Sequence, residues 1–365
     1  MHIFSRQQVS HLAALATLFF TLVIVTGCGV PGVVAKGHSL PPATPTATAV
    51  PLAPLQLPQD EAPHTNLTEW WYYTGHFHNA DNSKNYGFEL TFFQVLRGNF
   101  GPVYVGHYAI SDITRGDFQF DQRTILKLGA SLPAGTTTGF NLAINDWTMQ
   151  GLNGHDQLAA AMQNYAINLT LDSQKPAALH NGSGLLSYGP GGYSYYYSRT
   201  HMAVSGTIQD HGVAVPVTGL AWMDHQWGNF ITVNGTGWDW FSIQLDNGTD
   251  YMVYEIRDTT GKVISVIGSL IDAQGKTTQV DATKISEAVN GHWVSPTTHY
   301  TYPSGWTLTL PNGSLTITPT LPNQELVTTQ TTGNTYWEGD SSVTGTIDGQ
   351  PVTGQGYTEL TGYTH

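Results

Sequence analysis

Four residues within six positions carry the side-chain types that acid–base chemistry beside an aromatic wall requires. In the stretch GLAWMDHQWGNF (219–230), Asp224 and His225 follow an apolar run, and Trp222 and Trp227 flank them. A carboxylic acid kept protonated by apolar surroundings can deliver a proton to an alkene. Aromatic faces stabilise the resulting carbocation by about 0.5–2 kcal/mol per contact. A carboxylate or an imidazole then takes a proton from the attacking water. The same residue types also build a hydrogen-bonded hinge packed with indoles, and the local sequence leaves both roles open.

A second aromatic block, TEWWYYTGHF (68–77), places Glu69 beside Trp70, Trp71 and Tyr73. Glu69 reads either as a buried acid of a pocket or as the partner of a strand-end arginine such as Arg199 or Arg257. His76 and His78 are two apart and share a face on a strand, but no third metal ligand can be named beside them. The reading therefore includes no metal and no cofactor.

The elements that must position these groups are strands. Beyond residue 64, short runs rich in Tyr, Phe, Val, Thr and Ile recur between Gly, Asn, Asp and Pro clusters, as in YGFELTFFQVL and DWFSIQLDNGTDYMVYEIRD. Asn247-Gly248 and Asn312-Gly313 are hairpin signals. One stretch, DQLAAAMQN (156–164), reads equally well as a brief helix or a strand edge. The fold class is all-β, with barrel against sandwich undecided by periodicity alone. Two aromatic openings, Glu69-Trp70-Trp71-Tyr72-Tyr73 and Gly237-Trp238-Asp239-Trp240-Phe241, predict two related β-domains over 64–228 and 229–365, with AWMDHQWG at their junction.

Composition narrows the partners. The chain has 365 residues, with 13 Lys and Arg against 26 Asp and Glu, a net charge of −13. No basic patch exists for nucleic acid. With cations this scarce, a buried carboxyl seldom finds one, and its pKa is then pushed up. The N-terminus reads as a processing signal: an apolar run, LAALATLFFTLVIV (12–25), ends in small residues before Cys28, the only cysteine. That pattern reads as a bacterial lipoprotein signal peptide over 1–27, with Cys28 lipid-modified and the protein held on the cell envelope, outside the cytoplasm. Residues 28–63, rich in Pro, Ala and Thr, read as an extended tether that packs against nothing.

Taken together, TEWWYYTGHF, YGFELTFF (86–93), YYSRTHMAVSGTI (196–208), AWMDHQWG (221–228), GWDWFSIQLDNGTDYMVYEIR (237–257), YWEGDSSVTG (336–345) and GYTELTGY (356–363) resemble the carotenoid 1,2-hydratase family and its lipocalin-like relatives, the kievitone hydratase and AttH-like proteins among them. The resemblance implies two lipocalin-like β-barrel domains packed together, with a site near their interface. It also implies a catalytic His-x-Trp pair, matched by His225 and Trp227. The family's downstream Tyr and Asp are not matched cleanly: Tyr251 and Tyr254 lie there, with Glu255 and Asp258 only nearby. A hydrolase finds no support, because no G-x-S-x-G elbow occurs.

Two functions stand side by side. One is a cofactor-independent hydratase or lyase, or an isomerase or cyclase, acting on a hydrophobic isoprenoid or polyketide. The other is a non-catalytic lipocalin-like carrier of a hydrophobic small molecule. For the enzyme, the expected catalytic groups are Asp224, His225, Trp227 and Glu69. The expected ligand-binding set is Trp70, Trp71, Tyr73, Trp222, Trp238 and Tyr254. The lipid anchor has its own test: Cys28→Ser should accumulate as unprocessed precursor and lose lipid labelling, whereas normal processing of that variant would remove the anchor.

Overall fold

Among the described residues from Thr68 onward, side chains alternate with period two, and every long regular element is a strand. Phe140–Ile144 shows the pattern in its simplest form, with Phe140, Leu142 and Ile144 buried and the residues between them exposed. In the computed structural model, residues 52–96, 101–126, 139–188, 192–230 and 237–364 are described. The signal segment, Cys28 and the tether up to residue 51 lie outside them.

The first sheet opens with a meander of β1 (Thr68–His78), β2 (Asn85–Val95), β3 (Val103–Asp112) and β4 (Asp117–Leu126). A second meander follows: β5 (Phe140–Ile144), β6 (Trp147–Leu152), β7 (His155–Ala161) and β8 (Tyr165–Ser173). Short β9 (Ala178–Leu179) and β10 (Leu185–Ser187) precede the long hairpin of β11 (Gly192–Asp210) and β12 (Val213–Phe230). The order across the sheet is β4-β3-β2-β1-β12-β11-β8-β7-β6-β5. The two ends of this order come together to make a nearly closed barrel: Arg123 of β4 donates to the Ala161 carbonyl and lies over the Trp147 ring. The stretch with a helical alternative is β7, with Asp156, Leu158 and Ala160 buried in alternation and both edges paired. Its neighbours on either side supply ladder partners that a lone helical turn would lack.

The second sheet repeats this plan. β13 (Gly237–Leu245), β14 (Asp250–Arg257), β15 (Val263–Ile271) and β16 (Thr277–Val280) run outward as β1 to β4 do. After β17 (Ser286–Val289), β18 (His292–Val294), β19 (Thr301–Pro303), β20 (Trp306–Leu310), β21 (Gly313–Pro319) and β22 (Glu325–Thr328), the closing hairpin is β23 (Asn334–Ile347) and β24 (Gln350–Thr361). β24 returns beside β13 as β12 returns beside β1. Each aromatic opening seen in the sequence is thus the first strand of a sheet, and AWMDHQWG lies on the last strand of the first sheet. Gly248 takes the left-handed conformation, φ +81°, in the β13–β14 turn.

Each barrel has its own apolar interior, built around Trp71, Phe88 and Trp147 in the first and Phe241, Trp306 and Trp337 in the second. A third apolar cluster, Tyr72, Tyr196, Trp222, Trp240, Met252 and Tyr357, lies between them. The contact is close: a Cβ on Gly87 would sit 2.7 Å from that of Asp340 and 2.9 Å from the Tyr357 hydroxyl.

The end of the tether belongs to the fold, contrary to expectation. Leu55 and Leu57 pack on the first barrel's core, Ala62 is buried, and the Trp71 indole donates to the Glu61 carbonyl. Glu61 forms a buried ion pair with Arg199. Arg199 therefore pairs with Glu61, and Arg257 with Asp239 at 2.7 Å, so neither is the partner of Glu69. Starting the chain at Thr65 rather than Ala53 strands Arg199 in the interior. Removing one partner of a buried pair costs about 3–5 kcal/mol, and the nearby Asp156 places the expected loss at the lower end. Urea denaturation of the two truncations measures it; equal stability would return residues 53–63 to the role of tether.

Candidate functional site

Strand pleating sorts the candidate residues into two groups. β1 and β12 pair antiparallel, with Trp71 opposite His225 and Tyr72 opposite Asp224. Successive side chains on a strand point to opposite faces, so Glu69, Trp71, Tyr73, His225 and Trp227 face the interior of the first barrel. Trp70, Tyr72, Trp222 and Asp224 face the second sheet. Asp224, His225 and Glu69 therefore do not share a cavity, and the expectation of a single site holding all three fails on the alternation of adjacent positions.

The face toward the second sheet carries a small cleft of about 80 Å³. Of the expected ligand-binding residues, Trp70, Trp238 and Tyr254 line it. Trp222 stands behind, its indole donating to Asp224 Oδ1 at 2.6 Å. Trp71 and Tyr73 are not at the cleft. They belong to the first barrel's core, where the Tyr73 hydroxyl donates to Asp156 at 2.9 Å.

Asp224 reaches the cleft with both oxygens engaged. Oδ2 accepts from the Tyr196 hydroxyl at 2.5 Å, and Oδ1 accepts from Ser198 as well as from Trp222. Burial pushes its pKa up to about 7 despite these three donors.

Two more carboxyls line the same space, and a third stands beside it; none was singled out in the sequence. Glu89 of β2 is pushed up to about 7 by burial, against hydrogen bonds from Thr91 and from Tyr336. Its Oε1 takes both donors, while Oε2 is buried without a hydrogen bond. Glu359 of β24 is pushed up to about 8, first by burial and then by the neighbouring Glu89 and Asp224, with the Trp238 side chain as a hydrogen-bond partner. Glu338 of β23 is raised well above the carboxylate range by burial and by Glu89; it accepts from the Tyr72 hydroxyl at 2.6 Å.

A local signal for these three was present. Each lies in a stretch of the family resemblance (YGFELTFF, YWEGD, YTEL), flanked by aromatics and without an adjacent cation. What the sequence lacked was the pairing of sheets that gathers them.

Several buried acids elsewhere have cations beside them. Asp210 has Lys84 at 2.7 Å and Arg115 at 3.1 Å, and its carboxyl is held well below the usual range. Asp250 has Lys175 at 2.7 Å. The cleft acids have aromatic neighbours instead. His76 and His78 form no metal pair: His76 bonds Asp340, and His78 Nδ1 faces the Asn79 carbonyl.

Inside the first barrel, His225 Nε2 lies 2.8 Å from Glu69 Oε1, and His64 Nδ1 lies 2.7 Å from the same oxygen. Burial alone would raise the Glu69 pKa, but hydrogen bonds from His225 and His64 hold it below its ordinary value. Burial pushes the His225 imidazole down. Trp227 stacks face to face on His64 at 4.1 Å. The expected His-x-Trp pair is therefore packed in a closed interior, with His225 fully buried.

The cleft acids predict the pH dependence of stability. Their folded pKa values stand above those of the unfolded chain, so the folded state holds protons that the unfolded state releases. Their contribution is full below about pH 4 and is lost as pH rises through about 7 to 8. Asp156, pushed up to about 7 by burial in the first barrel, acts in the same sense. The melting temperature should fall between about pH 5 and pH 8.5, and Glu359→Gln should flatten the fall. A melting temperature that rises across that window contradicts the protonated cluster.

The chain matches the AttH-like family model over residues 48–363. It is 25% identical over 251 residues to kievitone hydratase of Fusarium solani subsp. phaseoli, covering 66% of this chain and 70% of that protein. Among solved structures, a protein described as AttH from Nitrosomonas europaea superposes with a TM-score of 0.77 at 34% identity, covering 87% of this chain and all of that one. Kievitone hydratase of Nectria haematococca shares the fold, with a TM-score of 0.68 at 16% identity over 84% of this chain and 93% of that chain. On the extent of the family match, the chain belongs to the AttH-like family.

Proposed function

We propose that this protein is a hydratase-type lyase that adds water to, or removes it from, a hydrophobic isoprenoid or polyketide bound in the cleft between the two sheets. The observation that carries the reading is the set of carboxyls there, Glu89, Asp224 and Glu359, whose pKa values burial raises to about 7 to 8, so that each can both give and take a proton near neutrality. In the hydration direction, a neutral carboxyl O–H protonates the alkene carbon and becomes a carboxylate. The tertiary cation rests against Trp70, Trp238 and Trp240. Water attacks it, and its proton passes to a carboxylate, which restores the acid. Glu89 and Glu359 fit the proton-transfer roles, since Glu89 Oε2 is unengaged and Glu359 lines the cleft. Asp224, with both oxygens bonded, orders Tyr196 at the wall of the cleft.

The hydratase named among the relatives supports the reaction class, and its substrate makes kievitone the first compound to test. The alternative is a carrier that uses the same cleft without chemistry. Against it stands the desolvation of acids that a carrier of apolar molecules has no need to bury. The reading of Cys28 as a lipid anchor places the activity at the bacterial envelope and remains part of the proposal.

Incubating the protein with kievitone and with linear isoprenoid alkenes in H₂¹⁸O, followed by mass spectrometry, should reveal incorporation of labelled water. Glu89→Gln and Glu359→Gln should each lower turnover by about 10²-fold or more with ligand affinity retained. Ligands that bind with unchanged affinity in both variants and are recovered unaltered from the wild type would make the protein a carrier.

A further inference from the structure

The centre inside the first barrel answers to a chemistry separate from the cleft. His64, Glu69 and His225 each bring a ligand atom to within 4.8 Å of the other two. They come from three parts of the chain: the segment entering the fold, β1 and β12. Glu69 and His225 are fully buried, and the His64 side chain is 19% exposed. Among the described residues, the ion-pair partners of Glu69 are these two imidazoles alone. A buried carboxylate pays a large desolvation penalty unless a cation stands beside it.

The surrounding contacts are of the kind that orient metal ligands. The far nitrogen of His225, Nδ1, faces the Tyr197 hydroxyl at 3.3 Å, and the far nitrogen of His64, Nε2, faces the Asp60 carboxylate at 3.6 Å. The second oxygen of Glu69 accepts from the His64 backbone N–H at 2.8 Å and from Gln94 Nε2 at 3.1 Å. Gln94 is itself fixed by the Tyr104 hydroxyl at 2.7 Å. Trp71 stacks on His225 at 4.6 Å and Trp227 on His64, which fixes both rings and excludes water.

We propose that His64, Glu69 and His225 bind one first-row divalent metal ion, Zn²⁺ in the first instance, through His64 Nδ1, His225 Nε2 and a Glu69 carboxylate oxygen. Two imidazoles and a carboxylate are a zinc donor set, and the two nitrogens disfavour Mg²⁺ and Ca²⁺. A tetrahedral ion with ligands about 2.0–2.2 Å away holds them roughly 3.3 Å apart. The present separations of 2.7 and 2.8 Å must therefore open by roughly half an ångström,. The imidazole protons move to the far nitrogens, His64 Nε2 toward Asp60 and His225 Nδ1 toward the Tyr197 oxygen, where acceptors already stand. The bound ion ties the entering segment to the β1–β12 wall.

The test uses the full-length protein stripped with EDTA and titrated with ZnCl₂ against a chelating dye. One saturable site per chain is expected, with a rise in melting temperature. CoCl₂ should give the strong visible absorption of a four-coordinate site. His64→Gln and Glu69→Gln should each weaken Zn²⁺ binding by about 10-fold or more. His155→Gln should leave it unchanged, because His155 is exposed beside Asp172. Absence of a saturable site, or equal affinity in the wild type and His64→Gln, overturns the proposal. His64 lies at the edge of the barrel, so that variant remains informative if Glu69→Gln does not fold.

Discussion

The antiparallel pairing of β1 with β12 is the contact from which both buried polar centres follow. These two strands are shared between the first barrel's interior and the packing of one sheet on the other, so neither face reaches water along most of β1 or over residues 221–228 of β12. The register sets Glu69 beside Trp227, Trp71 beside His225 and Tyr72 beside Asp224. A shift of one residue would exchange the faces of every side chain. Glu69 would then leave His225, and Asp224 would no longer face the second sheet.

How the chain distributes its few cations explains what the two faces become. Lys84 and Arg115 serve Asp210, Lys175 serves Asp250, Arg199 serves Glu61 and Arg257 serves Asp239. These acids are fastened to partners and act as structural ties. The acids of the cleft have hydroxyls and indoles for neighbours, which donate hydrogen bonds but carry no charge. Desolvation then dominates and raises their pKa values. Folding bears that cost as lost hydration and as mutual repulsion among Glu89, Glu338 and Glu359 on ionisation. The proton transfer proposed for the cleft would use these acids.

The contact between the sheets is itself rich in polar ties. Tyr72 reaches Glu338, His76 reaches Asp340, Ser111 reaches Gln324 at 2.5 Å, and Trp240 reaches Tyr196 at 3.0 Å. Asp224 bonds Tyr196, Ser198 and Trp222 of the first sheet, and the Tyr196 hydroxyl in turn accepts from Trp240 of the second. Hydrogen bonds that pin the sheets also orient the groups facing the cleft. His107 shows the link: it bonds Tyr336, whose hydroxyl donates to Glu89, and its own burial pushes its pKa down to about 3.

The sequence by itself determined the all-β class, the two aromatic strand openings, and the shortage of cations that makes buried acids unusual. Each rests on local chemistry: period-two patterning, turn residues and composition are written along the chain. It also named Asp224, Trp70, Trp238 and Tyr254, which do border the cleft. Only the tertiary structure separated Asp224 from His225 and Glu69, because neighbouring positions on a strand face opposite ways and both faces here are buried. Only it brought Glu89, Glu338 and Glu359 together from β2, β23 and β24, up to 270 positions apart in the chain (359 − 89). It likewise drew residues 53–63 out of the tether, since a Pro-rich segment looks extended until a buried Arg199 is found waiting for Glu61. Long-range pairing decides which side chains share a space, and no local pattern encodes it.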